Sequence, residues 1–307
     1  MTASRHMPGF TLHRRVVNGV TINYAVAGEG PGLLLLHGHP QTHIAWRKVA
    51  PEFVAAGYQV VAADLRGYGD SGKPESGPPH ATYCKREMAR DQVALMAELG
   101  HTRFSLIGHD RGGRVAHRMA LDHPEAVDKI VVVDIAPTAT MYARTDKAFA
   151  TRYFWWFFLI QPGGLPERMI GADPAYFLRR HIDGQVRTPD AVSDEVFAEY
   201  LRCYEDPRTI HAICEDYRAA AGIDLEHDAA DDGQKITAPL LALWGRKGVV
   251  GELYDVLHTW REKAHEVEGE ALDCGHAVQE EVPEAFSRRV LDFLGRLGHA
   301  GGLSCGT

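Results

Sequence analysis

Apolar runs at 33–36, 58–63, 104–107, 130–133 and 240–243, interrupted only by Gln59 and Ser105, are too short for helices and have the character of strands covered on both faces. Ahead of them, residues 12–17 and 20–26 flank Asn18-Gly19, a type I′ turn signal that predicts a hairpin. Several of the runs are separated by stretches with apolar positions at helical spacing, namely 44–54, 85–99 and 112–122. This alternation predicts an α/β architecture, with a mainly parallel sheet and helices on both faces.

The pattern changes at Pro137. From there to Asp232 the strand signal vanishes, and aromatic, helix-like segments follow at 149–160, 174–181, 194–203 and 208–221. Strand character resumes at Pro239. The expected organisation is a core formed by 1–136 and 233–307, carrying a helical cap at 137–232. Near the end, Pro283 suits a first helical turn, and Phe286, Val290, Phe293, Leu294 and Leu297 form one apolar stripe. Gly298 ends that helix, and 300–307 reads as a loose tail.

Composition narrows the function classes. The chain has 307 residues, 45% apolar and 24% charged, as in soluble globular proteins. A net charge of −8 argues against nucleic acid as a partner but leaves room for a local basic pocket. Cys84, Cys203, Cys214, Cys274 and Cys305 are scattered and odd in number, which predicts free thiols in a reducing compartment. No apolar run approaches the ~20 residues of a membrane span, and no secretory signal is evident. The expectation is a cytoplasmic enzyme with neither nucleic acid nor membrane as a partner.

The chemistry is concentrated in Gly108-His109-Asp110-Arg111-Gly112-Gly113-Arg114, which follows the 104–107 run and opens the 112–122 helix. Strand, tight glycine turn and helix is the context of a nucleophile elbow, G-x-S-x-G, with Asp110 in the serine's place. A carboxylate can displace a leaving group from carbon and form an ester with the protein. The helix N-terminus favours its ionised form by ~0.3–1 kcal/mol. Arg111 and Arg114 share one face of the first helical turn, where cations oppose the helix dipole. Either a bound substrate carboxylate or structural ion pairs with Asp or Glu would account for them.

His37-Gly38-His39-Pro40 follows the 33–36 run. In an elbow architecture this loop and the residue after the nucleophile lend backbone N–H groups to an oxyanion hole, here those of His39 and Arg111. His37 itself reads as a structural turn residue rather than a base. Cys274-Gly275-His276 precedes the last helix, and His276 is the expected general base. The loop after 240–243, Trp244-Gly245-Arg246-Lys247-Gly248-Val249, has no carboxylate before Glu252. The orienting acid is therefore expected at Asp134, which ends the 130–133 run.

Together these residues resemble the α/β-hydrolase superfamily over nearly the whole chain, with Asp64-Leu65-Arg66-Gly67-Tyr68-Gly69-Asp70-Ser71-Gly72 as a further landmark. Within it, the elbow and Val133-Asp134-Ile135-Ala136-Pro137 resemble the haloacetate dehalogenases, including fluoroacetate dehalogenases. Gln41-Thr42-His43 and Cys214-Glu215-Asp216-Tyr217-Arg218 strengthen the match. The resemblance implies a triad of Asp110, Asp134 and His276, with the substrate carboxylate on Arg111 and Arg114. It implies a halide site at Trp156 and Tyr217, no metal or organic cofactor, and a homodimer. The family's halide site also has a His, and the matching position here is Trp155. An indole N–H still donates one hydrogen bond but carries no charge, which weakens the expectation of C–F cleavage.

The expected reaction is hydrolysis of small 2-haloacids to 2-hydroxy acids, through an Asp110 ester cleaved by His276-activated water. Two other readings stay open. An epoxide hydrolase would use the same triad with tyrosines among Tyr153, Tyr176 and Tyr217. A non-catalytic ligand-binding member of the fold would have no need of Asp134 and His276 together. A serine-type esterase is disfavoured, because position 110 carries no hydroxyl.

Overall fold

The computed structural model describes residues 2–295. Its centre is a nine-stranded sheet in the order β1-β2-β3-β5-β4-β6-β7-β8-β9. The strands are β1 (Thr2–Ala3), β2 (Thr11–Val17), β3 (Val20–Ala27), β4 (Gly32–Leu36), β5 (Gln59–Ala63), β6 (Phe104–His109), β7 (Val127–Val133), β8 (Leu240–Gly245) and β9 (Val267–Leu272). β1, β2, β3 and β5 pair antiparallel, and every pair from β5 through β4 to β9 is parallel. The expected hairpin is β2–β3, with Asn18 and Gly19 both at positive φ as a type I′ turn requires.

Alternate residues of the parallel strands feed two cores. Leu34, Leu36, Val61, Leu106, Val132 and Ala242 face one side, with Met88, Leu95, Val115 and Met119. Leu33, Leu35, Val60, Ile107, Val131 and Leu241 face the other, with Phe53, Phe286, Val290 and Phe293. Both faces are covered, and this is why the strands read as nearly continuous apolar runs rather than as alternating patterns. The covering helices include α1 (Ala50–Ala55), α2 (Lys85–Glu98) and α3 (Arg111–Asp122).

Between β7 and β8 the described residues form eight helices and one isolated bridge, Ile236 to Ala264: α4 (Thr138–Ala143), α5 (Lys147–Arg152), α6 (Trp155–Phe158), α7 (Leu165–Ala172), α8 (Pro174–Gln185), α9 (Asp194–Tyr204), α10 (Pro207–Ala221) and α11 (Ile223–Ala230). After β8 come α12 (Val249–Leu253), α13 (Val256–Arg261), α14 (Val278–Glu281) and α15 (Pro283–Gly295). The single helix expected over 44–54 is instead a 3-10 turn, His43–Trp46, followed by α1. Pro51 is the cause. With no N–H and a ring that clashes with the preceding turn, it opens a helix but cannot continue one. Leu297, Gly298, the 300–307 tail and Cys305 lie outside the described residues. Cys84, Cys203, Cys214 and Cys274 are buried free thiols. Among the described residues no helix is long and apolar enough to cross a membrane.

Strand order locates the site. β4 lies between β5 and β6, so the connections leaving β4 and β6 diverge at its carboxyl end and open a crevice there. Leu36 pairs with Gly108, and His109 pairs with Val133. Asp110 and Asp134 are thus the next residues on two neighbouring parallel strands.

Candidate active site

Asp110 sits at the apex of the β6–α3 turn with φ 45° and ψ −113°, an unfavourable backbone for a residue with a side chain. Such positions cost of order 1–3 kcal/mol and persist only where packing over-determines them. Packing does so here. A Cβ on Gly112 would lie 2.3 Å from the Leu36 carbonyl, and one on Gly108 would lie 2.5 Å from the Gly112 carbonyl. The elbow glycines let α3 seat directly on β4 and β6, which forces the turn above the sheet edge.

The Asp110 carboxylate is nearly enclosed. Burial alone would raise its pKa, but His276, Arg114 and Arg111 outweigh burial and hold it down at about 2. It is therefore an anion throughout the neutral range, the state the expected nucleophile would need. The backbone N–H of His39 donates to its Oδ2 at 3.1 Å. His39, one of the two expected oxyanion donors, thus binds one oxygen of this carboxylate. The other expected donor, Arg111, is the first residue of α3.

His276 is delivered by the loop after β9. Its Nδ1 lies 2.5 Å from Asp134 Oδ2, while Asp134 Oδ1 accepts from the Gly245 N–H at 2.9 Å. A carboxylate acceptor fixes the proton on Nδ1 and leaves the Nε2 lone pair able to take up a proton. Burial opposes the imidazolium, but the hydrogen bond and charge of Asp134, with the charge of Asp110, hold the His276 pKa above its ordinary value. Three supports were not legible in the sequence. Glu281 Oε2 accepts from the Gly275 N–H, and its Oε1 from the Ala277 N–H. The His109 Nε2–H donates to the His276 carbonyl at 2.9 Å, and the Gln185 carbonyl accepts the His276 N–H at 3.1 Å. These contacts join distant segments, and no local pattern announces them.

The two arginines are not two free forks. Arg111 donates from Nε and Nη2 to the two oxygens of Asp216, each at 2.8 Å, and from Nη2 to the Asp216 carbonyl at 2.9 Å. Asp216 also binds the Lys85 ammonium and accepts from the Tyr68 hydroxyl at 2.7 Å. Part of the structural ion pairing left open for these arginines is therefore real, at Arg111. Arg114 pairs with no carboxylate among the described residues. Its Nη1 donates to the Ala136 carbonyl and to Thr138 Oγ1. Each arginine nonetheless keeps one buried, unpartnered nitrogen, Nη1 of Arg111 and Nε of Arg114.

Aromatic rings hold these cations in place. The Arg111 guanidinium carbon lies 4.1 Å from the centroid of Tyr217, and that of Arg114 lies 4.6 Å from Trp156. Trp156 is fully buried, and its Nε1–H has no partner. Trp155 packs against Tyr153, Phe154 and His181, on the wall of a 640 Å³ cavity that opens outward. Tyr153 and Tyr217 are buried, but Tyr176 is 65% exposed. His37 is structural as expected: its Nδ1–H donates to the Gly38 carbonyl, and its Nε2 accepts from the Leu65 N–H.

One group among the described residues has metal-ligand composition, Cys84, Asp224 and His227, with ligand atoms within 4.8 Å of one another. It is not part of the triad. The Lys85 ammonium already lies 3.8 Å from Asp224 Oδ2, so a cation is present there.

Residues 31–283 match the alpha/beta hydrolase fold family. The chain is 44% identical over 287 residues to a fluoroacetate dehalogenase from Burkholderia sp, spanning 93% of this chain and 94% of that protein. It is 34% identical over 296 residues to a soluble epoxide hydrolase from Corynebacterium sp. (strain C12), spanning 94% and 98%. A provisionally assigned acyltransferase from Salmonella enterica superposes with a TM-score of 0.94 at 60% identity, spanning 95% and 97%.

Proposed function

The chain belongs to the alpha/beta hydrolase fold family, and from that premise we propose that it cleaves the carbon–halogen bond of small 2-haloacids. One observation carries this reading above the others. Beside an ionised Asp110, the unpartnered buried nitrogens of Arg111, Arg114 and Trp156 await acceptors. Buried donors without acceptors are costly and mark a ligand site. Two cationic donors suit a carboxylate, and a neutral indole N–H suits a departing halide.

The substrate carboxylate bridges Arg111 Nη1 and Arg114 Nε. An Asp110 oxygen attacks the halogen-bearing carbon in line. The new O–C bond forms as the C–X bond breaks, and halide leaves with the electron pair toward Trp156 and Tyr217. His276 Nε2 then takes a proton from water, and the hydroxide attacks the Asp110 carbonyl carbon. The His39 N–H stabilises the oxyanion, joined by that of Arg111. As the intermediate collapses, the departing alkoxide takes the proton from His276 and leaves as the 2-hydroxy acid, and Asp110 returns to the carboxylate as its remaining proton passes to solvent. Residues 137–232 act as the cap, which supplies Trp156 and Tyr217 and excludes water from the first step.

The 34% identity to an epoxide hydrolase supports a second reading with the same triad, in which Tyr153 and Tyr217 would donate to the epoxide oxygen. An epoxide gives the two arginines nothing to bind, which weighs against it. Acyl transfer through a serine or cysteine nucleophile is disfavoured, because position 110 is Asp. Ion chromatography of halide released from fluoro-, chloro- and bromoacetate, run beside diol formation from an aryl epoxide, separates the two leading readings. Halide without diol is expected; diol without halide overturns the proposal.

A further inference from the structure

We infer that Tyr142 is a third donor to the substrate carboxylate, beside Arg111 and Arg114. The inference rests on the haloacid reading above. Arg111 Nη1, Arg114 Nε and Trp156 Nε1 have a companion among the buried, unpartnered polar atoms, the hydroxyl oxygen of Tyr142. It belongs to the same connected group of side chains. The Tyr142 ring lies 5.0 Å, centroid to centroid, from Trp156. Arg114 lies over that indole, and Tyr217, 6.3 Å from it, carries Arg111 over its own ring.

α4 turns Tyr142 toward the arginines. Thr138 Oγ1 accepts from Arg114 Nη1 at 2.9 Å, and Tyr142 follows Thr138 by four residues, on the same helix face. Between them, Met141 Sδ accepts from Arg114 Nη2 at 3.3 Å. The charges of Arg111 and Arg114 both act on the Tyr142 hydroxyl, ahead of those of Asp224 and Asp216. Burial outweighs the two cations and pushes its pKa up to about 12, so the hydroxyl keeps its proton and can donate. A carboxylate presents about four lone-pair sites, and the two guanidinium nitrogens fill two of them. A phenol fits a third. Its unmet hydrogen bond is costly in the empty site, and that cost is relieved when the carboxylate arrives.

A binding role leaves a signature that a packing role does not. Tyr142→Phe keeps the ring against Trp156 and removes only the unpartnered hydroxyl. The hydroxyl meets the carboxylate rather than the reacting carbon, so substrate and 2-hydroxy acid product lose affinity alike. The test is KM and kcat for chloroacetate, the inhibition constant of glycolate, and the melting temperature, in the wild type and Tyr142→Phe. We expect KM and the glycolate constant each to rise about tenfold, kcat to change under about threefold, and the melting temperature not to fall. Unchanged KM and glycolate inhibition overturn the inference. Coupled to a lower melting temperature, they would make the hydroxyl a structural link to Asp224, whose Oδ2 also lacks a hydrogen-bond partner. Halide release by the wild type leaves the haloacid reading standing in either case. A wild type that releases no halide from chloroacetate overturns both.

Discussion

Asp216 grips Arg111 through both carboxylate oxygens, each at 2.8 Å, and both side chains are fully enclosed. The direction of the arginine is therefore set before a substrate arrives, and a single nitrogen, Nη1, is left without a partner. Arg114 differs in having no carboxylate partner among the described residues and in being held mainly by Thr138, a backbone carbonyl and Trp156. Both charges act on Asp110, and the two cations are held by different means.

Asp216→Asn removes the charge that orients Arg111 and neutralises Lys85. Leaving buried cations unpaired costs about 3–5 kcal/mol, so the melting temperature falls. In the fraction that remains folded, KM for chloroacetate rises about tenfold while kcat changes less, because uniform carboxylate binding is what is lost. Steady-state kinetics and thermal melts check both. An unchanged KM in a folded variant removes Asp216 from the account of substrate binding.

The acid limb of turnover reports His276. The base must be neutral, and its pKa is held above the ordinary value, so kcat climbs as pH rises through a pKa above about 6.5. Asp110, at about 2, contributes no limb in that range. The stability linkage runs the other way. The raised His276 pKa stabilises the fold below the ordinary histidine pKa, and that contribution is lost as pH rises through the folded value. In the ester Asp110 is uncharged, and Asp134 becomes the main support of the imidazolium. Asp134→Asn should therefore move the acid limb of kcat to lower pH as well as slow the reaction. A pH profile with an unmoved limb contradicts the pairing.

Gly38→Ala tests how tightly the nucleophile is held. A Cβ there would lie 2.5 Å from the Asp110 Cβ and 2.9 Å from its Oδ2. The methyl group must push the carboxylate off the His39 N–H. A displacement near 1 Å costs about a hundredfold in rate. Halide release should fall by that order, and wild-type turnover would mean that the chamber has slack it does not show.

The sequence revealed what local pattern encodes. Strands buried on both faces read as apolar runs, and the elbow was legible because its glycines are required by backbone packing around 108–113. Asp134 is expected by elimination, since the loop after β8 has no carboxylate before Glu252, and the structure sets its Oδ2 2.5 Å from His276 Nδ1. What local pattern could not reveal are partners far apart in the chain. Arg111 and Asp216 are separated by 105 positions, and nothing near either names the other. Glu281 and Gln185 hold the His276 loop through backbone groups, which leave no trace in residue type. The helix expected over 44–54 failed for a local reason, Pro51, whose effect the apolar spacing masked.

The central claim is a covalent ester on Asp110, formed without His276 and cleaved only with it. The most direct measurement is the mass of His276→Ala after exposure to chloroacetate, with Asp110→Asn as its companion. The expected result is a gain of one carboxymethyl group on the peptide containing Asp110, with a single burst of chloride and no further turnover. Freshly purified Asp110→Asn should show neither. Sustained turnover by either variant, or the adduct on any other residue, would contradict the mechanism.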